Sequence, residues 1–275
     1  MKLTEEQKNQ ILNLYEGLKN DEQTLGEVLE IIVDFCVDES MVDLTNDKDG
    51  DLFEEFSNEV WDLLESIKNL AKLQLEMEDI TDVLLTHLHC DHVGGAVSIK
   101  DHQVKVSFPN ATYWVSEPQW ETAQHPNRRE KASFLKENIN PLLESGQLKI
   151  ISLPPFQSKD SLQTIHFTKS ISCIVVNGHT EGMLLPKIQY KDKTIVYMAD
   201  LLPSTGHIPL PYVMGYDMQP LLTLNEKDIF LQEALKNNYQ LFFEHDPLNE
   251  CCSLEMTEKG IRAAKTFTLN ELLLN

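Results

Sequence analysis

Apolar positions follow two different periods along this chain, and the period changes near residue 78. Before that point Leu12, Leu14, Tyr15 and Leu18, then Leu25, Val28, Leu29, Ile32 and Phe35, then Phe53, Phe56, Val60, Leu63, Leu64 and Ile67 recur at helical spacing, each set an apolar stripe on a polar segment. The pattern predicts three amphipathic helices; the alternative for one of them is a strand through Ile31, Ile32 and Val33 entering an acidic turn. From Ile80 onward, short β-branched and aromatic runs alternate with helical stretches, which is an α/β pattern. Strands are expected at 83–86, 111–115, 148–153, 161–167, 171–176, 194–198 and 240–243. Helices are expected after Gly94, at 117–123 with Ser116 as the N-cap, at 130–139, and at 226–237. Between Leu201 and Pro220 lies a Pro-containing stretch with no periodicity, too long for a mere connector.

A chain of 275 residues with 41% hydrophobic positions can bury one substantial core or two modest ones. Its formal charge of −21 repels phosphate backbones and anionic bilayers, so neither a nucleic acid nor a membrane is the expected partner. Most of that excess precedes residue 80, which divides the chain into an acidic, mainly helical segment, 1–77, and a remainder, 78–275. If the apolar stripes of the first segment stay uncovered, they predict poor solubility or self-association as a homodimer. The start MKLTEEQKNQ lacks the basic residues and apolar core of a signal peptide, and no apolar run approaches the length of a membrane span. The five cysteines are odd in number and form no C-x-x-C pair, so reduced thiols and a cytoplasmic location are expected. The run NDKDGD at 46–51 is no calcium loop: with Gly50 at the glycine position, Thr45 and Phe56 stand where a first ligand and a bidentate glutamate are needed.

The chemistry concentrates in VLLTHLHCDHVGGA, residues 83–96. An apolar β-branched run delivers His87, His89, Asp91 and His92 at the end of an expected strand. Side chains alternate along an extended segment, so His87 and His89 face the same way and can bind one ion together. A turn then lets Asp91 and His92 approach a second ion, with Gly94 and Gly95 allowing the chain to turn tightly. Cys90 alternates away from these ligands. The strand 171–176 delivers His179 in GHTEG, the strand 194–198 delivers Asp200 in YMAD, and the strand 240–243 delivers His245 in FFEHDP. Ligands at successive strand ends converge on one sheet edge, where α/β folds place their sites.

The run HLHCDH resembles the H-x-H-x-D-H signature of the metallo-β-lactamase-fold hydrolases, and His179, Asp200 and His245 match the later histidine, aspartate and histidine of that family. Five of the nine histidines fall on the pattern. ADLLPSTGHIPLPYVMGYDMQPLLT and LFFEHDP are similar to segments of its quorum-quenching lactonase and methyl parathion hydrolase-like branch. The resemblance implies an αββα sandwich, here with a helical N-terminal segment in place of the usual first strands and their Asp-Thr-Gly turn. It implies two divalent ions: His87, His89 and His179 on one, Asp91, His92 and His245 on the other, and Asp200 bridging. Such nitrogen and carboxylate ligands suit Zn²⁺ best, with Mn²⁺, Fe and Co²⁺ as alternatives. It further implies a shared hydroxide as nucleophile, with Asp91 shuttling a proton.

The expected substrate is a small ester or lactone, such as an N-acyl homoserine lactone. His207 and Tyr216 of the 201–220 stretch would orient it, and Ile208, Leu210, Val213 and Met214 would wall its acyl chain. No G-x-S-x-G elbow or Gly-rich phosphate loop offers a competing template. The alternative function is a metal-binding or interaction protein with an incomplete, inactive hydrolase domain, its acidic helices being the working surface.

Overall fold

A computed structural model describes residues 75–100, 103–154 and 160–274. The expected N-terminal helices, the alternative strand at 31–33 and the acidic turn at 46–51 lie outside these residues. The strands, in chain order, are β1 (Asp82–Leu84), β2 (Val97–Lys100), β3 (Gln103–Val106), β4 (Thr112–Ser116), β5 (Leu148–Ile151), β6 (Gln163–His166), β7 (Ile171–Val176), β8 (Met183–Tyr190), β9 (Lys193–Tyr197), β10 (Gln240–Phe242), β11 (Cys251–Thr257) and β12 (Gly260–Phe267). The described residues fall into two compact units, 75–81 with 94–111, and 82–93 with 112–274.

In the first unit, Met77–Asp79 forms a 3-10 turn whose Asp79 carboxylate accepts the backbone N–H of Glu76 at 2.9 Å. The helix expected after Gly94 is absent. A three-residue 3-10 turn, Gly94–Ala96, leads instead into the antiparallel hairpin β2–β3. The reason is a period of two: Val97 and Ile99 register with Val106 and Val104, β-branched residues at alternate positions, which favour a pleated strand over a helix.

The second unit holds two sheets. β1, β4 and β5 form a parallel three-stranded sheet, and β6 to β12 a seven-stranded one in sequential order, reversed from edge to edge. The run ISCIVV of β7 is apolar apart from Ser172 because both its faces are covered. Cys173 and Val175 pack with Leu184 toward Leu84 and Ile151 of the smaller sheet, while Ile174 and Val176 join Met183, Leu185 and Val196 against Phe230, Leu231 and Ala234 of the helix Pro220–Lys236. The helix Glu117–Gln124 packs on β4 and β5. The order helix, sheet, sheet, helix is the expected αββα arrangement.

Several elements depart from expectation. The helix expected at 130–139 is split: a 3-10 turn spans Lys131–Ser133 and a helix spans Lys136–Glu144, passing through Pro141. Between them Phe134 takes an extended backbone and buries its ring 5.0 Å from that of His89. The long helix begins at Pro220, since proline at a first helical position has no N–H to lose and a preset φ. The strand β8, the hairpin β11–β12 and the helix Leu269–Leu274 were not marked by periodicity. No helix among the described residues is long and apolar enough to cross a membrane.

Candidate metal centre

β7, β9 and β10 run in one direction, and the segments leaving their ends and the end of β1 carry every residue the sequence suggested as a ligand. After β1 come His87 and His89, then the short helix Cys90–Val93 bearing Asp91 and His92. His179 follows β7, Asp200 follows β9, and His245 follows β10. Two of these turns depend on close backbone approach or a left-handed backbone. A Cβ on Gly178 would sit 2.3 Å from Thr223 N, so the turn before His179 can lie against the long helix only without a side chain. Ala199 adopts φ of +39°, a left-handed kink just before Asp200.

The seven side chains form two groups within ligand distance of one another: His87, His89, His179 and Asp200, and Asp91, His92 and His245. Cys90 belongs to neither. Asp200 lies between them, its Oδ2 3.1 Å from His179 Nε2 and 3.4 Å from His92 Nε2, its Oδ1 3.2 Å from His245 Nε2. The first group is buried; in the second, the side chains of Asp91 and His245 retain 57% and 37% exposure. One half of the cluster is therefore closed and the other opens to solvent.

The polar atoms point inward without satisfying each other. His87 Nε2 and Asp200 Oδ1 are buried without a well-aligned hydrogen bond among the described residues, and buried polar atoms are rarely left so. Burial, then the neighbouring His92 and His89, hold the His87 pKa well below its ordinary value, leaving a neutral imidazole with a lone pair. Burial works to raise the Asp200 pKa, but hydrogen bonding to His245 and His92 and the nearby imidazoles hold it well below the usual carboxylate range. Burial works to lower His92, yet Asp200, Asp91 and Glu244 push it up to about 12. Ionised carboxylates that favour a protonated imidazole there would equally favour a metal cation. The donor set, imidazole and carboxylate without thiolate, fits a borderline or hard divalent ion.

Behind the cluster stand side chains that the sequence did not single out. Glu130, buried, takes His89 Nε2 at 3.2 Å and also accepts the Thr180 hydroxyl, which leaves His89 Nδ1 facing His179 Nε2 at 3.1 Å. Glu244 sits 3.0 Å from His92 Nδ1 and accepts the Tyr197 hydroxyl. Gln119 receives the Leu88 amide and donates to Thr180 and to the Glu181 carbonyl, tying two ligand turns together. Glu226 of the long helix accepts the backbone N–H groups of Asn177 at 2.8 Å and Gly178 at 2.9 Å; burial raises its pKa to about 7 despite those bonds. Each carboxylate lies tens of residues from the group it holds, so no local pattern could have pointed to it.

The stretch 201–220 differs from its expected role in part. Asp217 of this stretch is buried and holds His179 Nδ1 at 3.0 Å, the kind of partner that fixes the imidazole of a metal-binding histidine. Ile208, expected in an acyl wall, is fully buried in the core with Leu202, Phe230 and Leu231, because its apolar side chain finds the long helix first. Leu210 lines a cavity of about 130 Å³ shared with Leu231, Met256 and Ile261, while Val213 and Met214 are half-buried. His207 and Tyr216 stand outside the ligand cluster. His207 Nδ1 contacts Ser204 Oγ at 2.9 Å, and burial, then Lys227, lower its pKa while Asp217 and Asp200 act to raise it. Tyr216 is 77% exposed, one residue before Asp217.

The metallo-β-lactamase superfamily profile matches residues 41–236. Among solved structures, the chain is similar to a probable metal-dependent hydrolase from Staphylococcus aureus at 23% identity, with a TM-score of 0.60 over 74% of this chain and 69% of that one. It is also similar to AidC, a dizinc quorum-quenching lactonase solved with a product, at 21% identity, TM-score 0.59, over 74% of this chain and 70% of the other. The hydrolase AbOPH matches with the same identity, score and coverage. At these identities the likeness establishes the fold. No protein of curated function matches the chain.

Proposed function

This chain belongs to the metallo-β-lactamase superfamily, and on that premise we propose that it is a dinuclear, zinc-dependent hydrolase of a small ester or lactone, such as an N-acyl homoserine lactone. The observation that carries the reading is Asp200, whose two oxygens reach the imidazoles of both ligand groups. His87, His89 and His179 would hold one ion, Asp91, His92 and His245 the other, and Asp200 both. Divalent ions held there supply Lewis acidity and bring the pKa of a bound water from 15.7 to about 7.

The protein's own groups then have separable tasks. Glu130, Asp217 and Glu244 orient His89, His179 and His92 through their second nitrogens. Asp91 lies on the solvent side of the cluster. Burial works to raise its pKa, but the hydrogen bond to His92 holds it below the ordinary value. Ionised at neutral pH, Asp91 takes the proton of the attacking water and returns it to the leaving alkoxide as the ester C–O bond breaks. His207 and Tyr216 are proposed to contact the substrate: His207 lies within electrostatic reach of Asp200 and Asp217, and Tyr216 offers an exposed ring beside the holder of His179. A net charge of −21 favours a neutral substrate over a polyanion.

The test is metal analysis of protein purified without added metal, followed by rates on lactones of rising acyl length beside a phosphotriester and a cephalosporin. About two metal equivalents and preference for a lactone are expected. A preferred phosphotriester would overturn the substrate assignment, and a metal-loaded protein inert to every compound would favour a binding protein.

A further inference from the structure

The side chain of Lys227 is fully buried on the long helix. Its ammonium donates to three main-chain carbonyls of one short segment, Pro209 at 2.9 Å, Leu210 at 3.1 Å and Tyr212 at 2.6 Å. All three protons are thereby used, which is what a buried ammonium requires to offset its loss of hydration. An apolar residue of similar length would fill the same space but leave these three carbonyls without their donor. What the ammonium fixes is therefore the path of 209–212.

That path joins His207 to Tyr216. The remainder of the loop is tied down by other groups. Thr205 donates its backbone N–H and its hydroxyl to Asp246 at 2.9 and 2.6 Å, just after His245. Arg129 donates to the Gly215 carbonyl and, at 3.5 Å, to that of Asp217. Met218 and Gln219 donate their amides to the carbonyls of His179 and Gly178 at 3.0 and 2.8 Å. The two ends of the loop are thus fastened to the ligand turns independently of Lys227, and the middle is fastened by Lys227 to the helix.

We propose that Lys227 is a positioning residue for substrate recognition: it sets the course of residues 207–216 over the helix without taking part in holding the ligand histidines. The cavity beside Leu210 lies between this segment, the helix and the β11–β12 hairpin, so a released segment has room into which to shift. Burial draws the Lys227 pKa down to about 8, with the charge of Asp217 acting to raise it, so the ammonium form prevails at neutral pH.

The inference takes its kinetic meaning from the hydrolase reading, but its first test does not depend on it. Hydrogen exchange is compared between metal-loaded wild type, Lys227→Met and the milder Lys227→Gln, which keeps two N–H donors. In Lys227→Met the amides of His207, Ile208 and Tyr212 should exchange about tenfold faster, those of Met218 and Gln219 should be unchanged, and metal content should be retained. Lys227→Gln should fall between. On the best ester of the panel, KM should rise by about tenfold with kcat within about threefold. Unchanged exchange in 207–212, or a uniform rise across 201–219 with loss of metal, would overturn the proposal. If the wild type cleaves no ester, the hydrolase reading falls and the exchange data alone decide the role of Lys227.

Discussion

Two segments lead to the same cluster of imidazoles and carboxylates by opposite routes. The turn from Thr86 to Val93 places four candidate ligands within six positions, its course set largely by neighbours in sequence: a strand ending at Leu84, then one short helical turn whose His92 and Val93 amides both return to the His89 carbonyl, with Gln119 receiving the Leu88 amide from afar. The stretch 201–219 holds only 3-10 turns and owes its course to distant groups, Asp246, Lys227 and Arg129, with Asp217 reaching His179 across 38 positions. The comparison teaches that metal chemistry can be encoded locally, because coordination needs particular atoms at short range. Backbone in an irregular loop has no such code and must be pinned from outside.

The largest effect belongs to the residue that joins both ligand groups. Asp200→Ala should lose metal and cut hydrolysis by about 10³-fold or more, as several kcal/mol of charge stabilisation go with it; His179→Ala should lose metal in parallel. Elemental analysis beside the rate checks both, and full activity in either variant would sink the dinuclear assignment.

Next come the outer carboxylates, the test of whether pinning from afar matters to the local motif. Glu130→Gln and Asp217→Asn should each weaken metal affinity by about 10- to 100-fold while preserving the fold, since each removes the group that sets a ligand tautomer. Competition with a chelator measures this. Equal affinity in wild type and variant would mean that the HLHCDH turn is sufficient without its supports.

The last prediction is a pH dependence of stability and leaves the metal site aside. Glu226 has its folded pKa raised from 4.5 to about 7. The unfolded chain therefore releases this proton first, and the stability contributed by the protonated form is complete below about pH 4.5 and lost as pH rises through about 7, by up to about 3 kcal/mol. Glu226→Gln should remove that slope. Urea midpoints of the two proteins at pH 4.5, 6 and 7.5 should diverge accordingly; parallel curves would show that Asn177 and Gly178 already stabilise the ionised carboxylate in full.

The gathering of the seven candidate ligands was legible because strand ends and metal-binding residue types are both local signals. His87, His89, Asp91 and His92 follow one apolar run, and His179, Asp200 and His245 each follow another. The buried double-faced strand at Ile171–Val176 was legible for the same reason: a short run that is apolar but for one serine has few alternatives. The helix expected after Gly94 does not form, because Val97, Ile99, Val104 and Val106 pair across a hairpin.

What the sequence determined by itself was the chemistry, seven imidazole and carboxylate groups delivered at the ends of strands that an α/β pattern brings to one edge. Only the tertiary structure decided which acid stands behind which histidine, that Ile208 enters the core instead of facing a substrate, and that Lys227 is a buried clamp rather than one more surface cation. Burial and hydrogen-bond partnership depend on segments tens of residues apart meeting in space, and a lysine on a helix carries no mark of its partners until a loop folds over it.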